Sequence, residues 1–577
     1  MGEKSYELRP EVAVAAPART ADGYEEIVCE LRARLSELGA PSPVLAVECY
    51  PGVDLAELRS QLVGPLAPAV ALVADDYAWE PERLEARIAD TLTDDRVFGV
   101  MSHYTIDQFF DDELVARARA DLRDAPAGLR VVLGTGATLL CEPDLLVYVG
   151  LTRWEIQLRQ RAGIPSWRAD NADEDQLRKF KRGYFFEWRM ADRAKRALFD
   201  RMDYVIDANR PGRPTMVDGA GYRSALAEVA RRPFRLVPYF DTSVWGGHWM
   251  QERFGLDPDA PNFGWAFDGV PEENSIILRF GVTRVEVPAV DVVFREPDAL
   301  LGPLVHARFG AEFPIRFDFL DTMGGQNLSL QVHPLVEYAQ DRFGIHYTQD
   351  ESYYILDATE RSCVYLGVRD GVEKDELMAA LRGAQEGGAP FDDARYVNCV
   401  PVRRHDHVLI PAGTVHAAGP DTVVLEISAT PYIFTFKLWD WGRLGLDGRP
   451  RPVHLDHGES NIQMTRDTTF VEHELVSRYS DGPVPREERT GLHRLEFIET
   501  RRHWFEDAVE LECHGSVNML NLVEGVSARV EPVDGGPALE VHYAETFIVP
   551  ASVGRYRVVN TGGGVAAVVQ AYVRGAE

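Results

Sequence analysis

The chain is short of positive charge. Its 577 residues hold 61 Lys and Arg against 91 Asp and Glu, a formal net charge of −30. Such a surface repels phosphate backbones and anionic head groups, which excludes a nucleic acid or an anionic membrane as the main partner. It leaves room for a small anion held by a local basic patch. Long apolar runs are also missing. None approaches the roughly 18 residues of a membrane span, and the N-terminus MGEKSYELRPEV lacks the apolar core of a secretion signal. Cysteine is scarce: Cys29, Cys49, Cys141, Cys363, Cys399 and Cys513 include no CxxC pair, so a zinc finger is excluded. Reduced thiols and a cytoplasmic location are expected. Nowhere does the chain carry GxxxxGK[ST], the loop that grips nucleotide phosphates.

What remains is ordinary globular composition, 45% hydrophobic and 26% charged, in a chain long enough for several domains. Residues 1–42 read as an arm and one helix, with Ile27, Leu31 and Leu35 spaced by four. Over 43–235 apolar strand candidates alternate with helices: PVLAVECY, VALVADDYAW, GLRVVLGTGATLL and DLLVYVGL. That alternation predicts a parallel sheet. The turn after the first strand, ECYPGVDLAEL, keeps Gly52 but has neither the Lys nor the hydroxyl that phosphate and Mg²⁺ require. Asp75 and Asp76 end the second strand, and Gly134 and Gly136 mark a turn after the third. Residues 153–196 concentrate cations, RWEIQLRQRAG and then RKFKRGYFFEWRMADRAKR. Two readings fit: a solvated helix face with pairs such as Asp192 with Arg196, or a phosphate- or partner-binding surface.

The densest chemistry lies between Asn327 and Leu356. Gln331 and His333 are two apart in a strand-like run, so both point to one face. Glu351 opens a second strand-like run, SYYIL. Further on, VLIPAGTVHAAG delivers His416 from a turn set by Pro411 and Gly413. Two His, one carboxylate and one amide at a barrel mouth make an open metal site, as a catalytic Zn²⁺ needs. His346 and His405 are nearby substitutes.

QVHP with PAGTVH resembles the class I mannose-6-phosphate isomerases, cupin-type zinc enzymes. VPYFDTSVWGGHWMQERFGL and DWGR extend the resemblance over roughly 237–570. The first part resembles the uridine-kinase-like P-loop fold, without the working loop. The fold class implied is multi-domain: a P-loop-like α/β domain (43–235), then a mainly-β double cupin of jelly-roll barrels. The first barrel (236–480) would be metal-binding. The second (481–577) would be metal-free, since no His follows Pro550. The resemblance implies Zn²⁺ on Gln331, His333, Glu351 and His416, Arg443 on the substrate and Glu426 beside the metal. The family's Lys two residues before the metal-binding Glu is Gln349 here, and Asp318 stands where another Lys is usual. Lys437 is the candidate to compensate. The implied activity is aldose–ketose isomerisation of a sugar phosphate, by family default mannose 6-phosphate to fructose 6-phosphate. The alternatives are another sugar, possibly unphosphorylated, or a sugar-binding regulator.

Overall fold

The computed structural model describes residues 6–575 apart from positions 430, 431, 433, 447, 450 and 492. The chain divides into two compact units, one of 11–229 with 275–295, the other of 1–10, 230–274 and 296–577. The division differs from the expected boundaries at 42/43 and 235/236. The helix Tyr24–Glu37 lies in the α/β unit, and Ile27, Val28 and Leu31 bury against its sheet. A later excursion, the hairpin Ser275–Phe280/Thr283–Pro288 and the helix Val290–Arg295, belongs to the same unit. Its anchors are specific: Glu11–Ala13 pairs in parallel with Ser275–Phe280, and the Glu286 N–H donates to Asp207 at 2.8 Å.

The α/β unit is a seven-stranded sheet in the order Thr20–Asp22, Thr215–Asp218, Tyr204–Asp207, Leu145–Gly150, Val44–Cys49, Arg130–Gly134, Val70–Val73. The last five are parallel. Numbered along the chain, those five run 2-3-1-4-5. In such sheets ligands bind beyond the carboxyl ends, where the order reverses. That place is filled here by the chain itself. Glu48, at the end of the central strand, is buried, and its carboxylate accepts from Gly136 N (2.6 Å), Thr138 N (2.8 Å) and Thr138 Oγ1 (2.9 Å). A protein carboxylate thus takes up the amides an incoming anion would use. The Gly52 turn has a φ of 95°, and a Cβ there would touch Leu151 and Ile156 at 3.5–3.6 Å. Asp75 accepts from Thr135 N and Trp167 Nε1. Calorimetry with millimolar ATP and Mg²⁺ is therefore expected to show no binding heat.

Much of the cationic run turns inward, while Arg161, Arg178 and Arg196 stay exposed. Arg153 is buried against Asp192 at 2.6 Å. Lys179 donates to the carbonyls of Gln160 and Ile164, and Arg182 pairs with Glu85 and Glu187. Buried cations persist when paired and hydrogen-bonded, and two of these partners, Asp192 and Glu85, lie far from Arg153 and Arg182 in sequence.

Burial, opposed by those three hydrogen bonds, pushes Glu48 from 4.5 up to about 7. Between these values the native state keeps a proton that the unfolded chain has released. Stability is therefore full below the lower value and falls as pH rises through the window, by about 1.4 kcal/mol per pH unit. Glu48→Gln is expected to flatten this slope, read from urea unfolding across the same window.

The other unit carries two β-sandwiches. In the first, a seven-stranded sheet orders Val476–Ser477, His407–Ile410, Asp350–Ala358, Thr422–Ala429, Arg316–Asp321, Trp265–Gly269 and Tyr239–Asp241. A five-stranded sheet orders Val397–Pro401, Cys363–Val368, His416–Ala418, Leu330–Val332 and Phe436–Trp439. The second sandwich is filled by apolar side chains, among them Phe505, Leu520, Leu522, Val530, Phe547 and Val568. No described helix is long and apolar enough to cross a membrane.

Candidate metal centre

His333, Glu351 and His416 meet inside the first sandwich, all buried, with one potential ligand atom each within 4.8 Å of the others. His416 and Gln331 come from the five-stranded sheet and Glu351 from the seven-stranded one, with His333 just past the Leu330–Val332 strand. The strands explain the convergence. Gln331 lies opposite His416 on one side and Lys437 on the other, so these residues share a face. The Pro411–His416 turn is tied to the other ligand strand: Gly413 N donates to His333 O at 3.0 Å. Gly413 has a φ of 85°, and a Cβ would strike Gln463 at 2.6 Å, so the turn needs glycine.

The imidazoles are oriented from behind. His333 Nδ1 faces Phe434 O at 2.7 Å and His416 Nδ1 faces Thr414 O at 2.8 Å. A carbonyl accepts only, so each Nδ1 carries the proton and each Nε2 presents a lone pair inward. Both Nε2 atoms approach Glu351, at 3.0 and 2.8 Å. Gln349 steadies the carboxylate: its Nε2 donates to Glu351 at 2.8 Å, while its Oε1 accepts from Phe434 N at 2.9 Å. Gln331 reaches His416 Nε2 at 3.1 Å through its amide end.

This donor set fits a metal ion. His333 Nε2 and Glu351 Oε1 are buried without a well-formed hydrogen bond, an arrangement that proteins otherwise avoid. Burial works against the Glu351 charge, but His333 and His416 outweigh it and hold the carboxyl well below its usual range. For His333, burial is likewise overcome by Glu351, and its pKa rises. An anionic oxygen and two inward nitrogens are what a borderline divalent ion binds.

Beyond the triad the interior is acidic. Asp318 lies opposite Glu426, and Glu426 opposite Tyr353. Burial, then Asp318 and Glu351, raise Glu426 well above an ordinary glutamate. Burial also raises Asp318, against the pull of Arg316. Arg316 is already engaged by Glu273 (3.3 Å) and Asp318 (3.4 Å). Arg443 is used in a loop: its guanidinium donates to Asp440 at 2.6 Å and to Asn327 O at 2.6 Å, and Arg451 grips the same Asp440. His405 lies elsewhere, between Tyr354 and Glu524.

The sequence reading missed Arg316 and Tyr353. Each is two residues from a residue it did single out, Asp318 and Glu351, and the strand period was the available signal.

The domain family DUF8485, a domain of unknown function, matches residues 23–231. The chain is 27% identical over 226 residues to the mannose-6-phosphate isomerase of Streptococcus mutans, covering 39% of this chain and 66% of that one. It is 28% identical over 232 residues to the mannose-6-phosphate isomerase ManA of Bacillus subtilis, covering 39% and 67%. The mannose 6-phosphate isomerase structure from Bacillus subtilis aligns at 18% identity with a TM-score of 0.46, covering 59% of this chain and 100% of that one. The aligned stretch thus spans about two thirds of each of these curated relatives.

Proposed function

We propose that this protein is a metal-dependent aldose–ketose isomerase of the mannose-6-phosphate isomerase type, with its reaction centre in the first sandwich. The observation that carries the reading is the His333–Glu351–His416 triad with Glu426 beside it. Gln331 completes the ligand set. A divalent ion held there, Zn²⁺ in this reading, would supply a Lewis acid for the sugar carbonyl. Glu426 carries the proton between C2 and C1 of the open-chain sugar, through an enediol. Lys437, across from Gln331, holds the sugar's oxygens. Arg443, clamped between Asp440 and Asn327, positions the loop at the sandwich edge.

A second reading concerns the substrate. Mannose 6-phosphate is what the named relatives act on. Here Asp318, Glu426 and Glu273 outnumber Arg316, which they already engage. With Arg316 already engaged by two carboxyl groups, this wall favours an unphosphorylated sugar over a dianionic phosphate.

Glu426→Gln is expected to lower turnover by about 10²–10⁴-fold while leaving metal content unchanged, as removal of a proton carrier does. The check is NMR of metal-loaded protein with mannose, mannose 6-phosphate and related sugars in D₂O. Full turnover in Glu426→Gln with its metal still bound would remove Glu426 from the reaction. No conversion of any sugar by the wild type would leave a binding protein.

A further inference from the structure

Two of the six cysteines lie side by side on the wall of the metal-binding sandwich. The strands Cys363–Val368 and Val397–Pro401 run antiparallel, with Cys363 opposite Pro401 and Tyr365 opposite Cys399. Opposite residues, and residues two apart, share a face, so both sulfurs project from the same face one diagonal step apart. Diagonal neighbours sit about 7–8 Å apart, just beyond the usual span of a disulfide, so bond formation asks for a shear between the strands. The ladder is regular from Cys363 to Tyr365 and shifts register just beyond, between Tyr365 and Val368.

The two sulfurs differ in surroundings. Cys363 is buried, whereas Cys399 is exposed. Cys399 lines an open groove of about 630 Å³ with Arg369, Asp370, Thr468 and Arg478. The Cys363 thiol is the leading influence on Cys399 and brings it down to about 7; burial and Asp393 oppose, and Arg369 assists. The same contact, with burial, pushes Cys363 up. One sulfur is therefore a reachable nucleophile and its neighbour a protonated thiol in contact with it.

We propose that Cys399 and Cys363 form a peroxide-oxidisable pair, in which Cys399 is the reacting sulfur and Cys363 closes the disulfide. The Cys399 thiolate attacks a peroxide oxygen. The S–O bond forms, the O–O bond breaks, and the departing hydroxide takes a proton to become water. Cys399 is left as a sulfenic acid. Cys363 then attacks the Cys399 sulfur: the S–S bond forms, the S–O bond breaks, and the Cys363 proton leaves with the oxygen as a second water. Two electrons pass from the thiol pair to hydrogen peroxide, so the step balances. The Cys363 strand is bonded on its other edge to the strand that begins with His416, so the disulfide would form within the wall of the metal centre.

The test uses the full, reduced, metal-loaded chain. At pH 7 a thiol brought down to about 7 is about half thiolate, so iodoacetamide should modify Cys399 roughly tenfold faster than the exposed Cys29. After stoichiometric hydrogen peroxide, peptide mass mapping should show Cys363 linked to Cys399, a link lost on adding dithiothreitol. In Cys363→Ser, Cys399 should stop at the sulfenic acid and be trapped by dimedone. Cys399 still free after peroxide has oxidised Cys29, or Cys399 linked to a cysteine other than Cys363, would overturn the proposal. The wild-type peptide map decides the matter even if Cys363→Ser does not fold.

Discussion

Glu351→Gln is expected to strip the protein of its metal and bring sugar isomerisation down to the buffer background. Glu351 is the one carboxylate in the triad, and both imidazole nitrogens approach it, at 3.0 and 2.8 Å. His333 and His416, against burial, hold its pKa well below the usual carboxylate range, so its charge is the anionic part of the donor set. Residues one shell out from a metal are worth 10–100-fold in affinity, so loss of a ligand should cost at least ~10². Gln is nearly isosteric and keeps the hydrogen bonds of the site possible, so the fold should survive. The metal also competes with protons: ligation needs an ionised Glu351 and a neutral His333, whose proton the neighbouring carboxylate retains. Affinity should therefore fall as pH drops through the imidazole range. Metal analysis after gel filtration, with titration of the stripped protein by Zn²⁺, checks both statements. Stoichiometric metal in Glu351→Gln would place the ion elsewhere.

The sequence made this site readable because its geometry is local. Gln331 and His333 share a strand face by a period of two. Glu351 opens a strand, and the Pro411–Gly413 turn is visible as letters. Their supports are long-range and left no such trace. The carbonyl of Phe434, which fixes the His333 tautomer, lies 101 residues away, and nothing in the residue type announces it. Arg443 is the converse case. The DWGR motif drew attention to its charge, but its bonds to Asp440 and Asn327 depend on how the loop folds back. The four expected strands of the α/β unit stand as read, because buried parallel strands are continuous apolar runs. Val70–Val73 is no longer than Tyr204–Asp207 or Thr215–Asp218, but it is wholly apolar, whereas those two each end in Asp and so break the apolar run. The excursion 275–295 was unreadable for another reason. Its hairpin alternates like any surface hairpin, and only its anchors at Asp207 and Glu11–Ala13 assign it to the earlier unit.

That excursion also carries a buried charge pair of the α/β unit. Asp291 is fully buried in the helix Val290–Arg295, and Lys195 meets it at 2.5 Å with 4% of its own side chain exposed. Tyr222 donates to the same carboxylate oxygen. The Lys195 ammonium also faces the rings of Tyr148 and Phe199, at 5.3 and 5.9 Å. No water can solvate the carboxylate if the ammonium is removed. Breaking a buried pair from one side typically costs 3–5 kcal/mol, because the remaining charge is left uncompensated. Lys195→Met fills the same volume without the charge, so the loss should come from Asp291 and not from a cavity. Lys195→Met is expected to destabilise the α/β unit by about 3–5 kcal/mol in urea. Adding Asp291→Leu removes the stranded charge, and well-packed apolar replacements of buried pairs are often neutral or stabilising. The double variant should therefore recover most of the loss, a coupling that two independent surface substitutions would not show. Metal content should be unchanged in both, since the triad lies in the other unit. A single variant within about 1 kcal/mol of wild type, the range of an exposed pair, would mean that water reaches the Asp291 carboxylate.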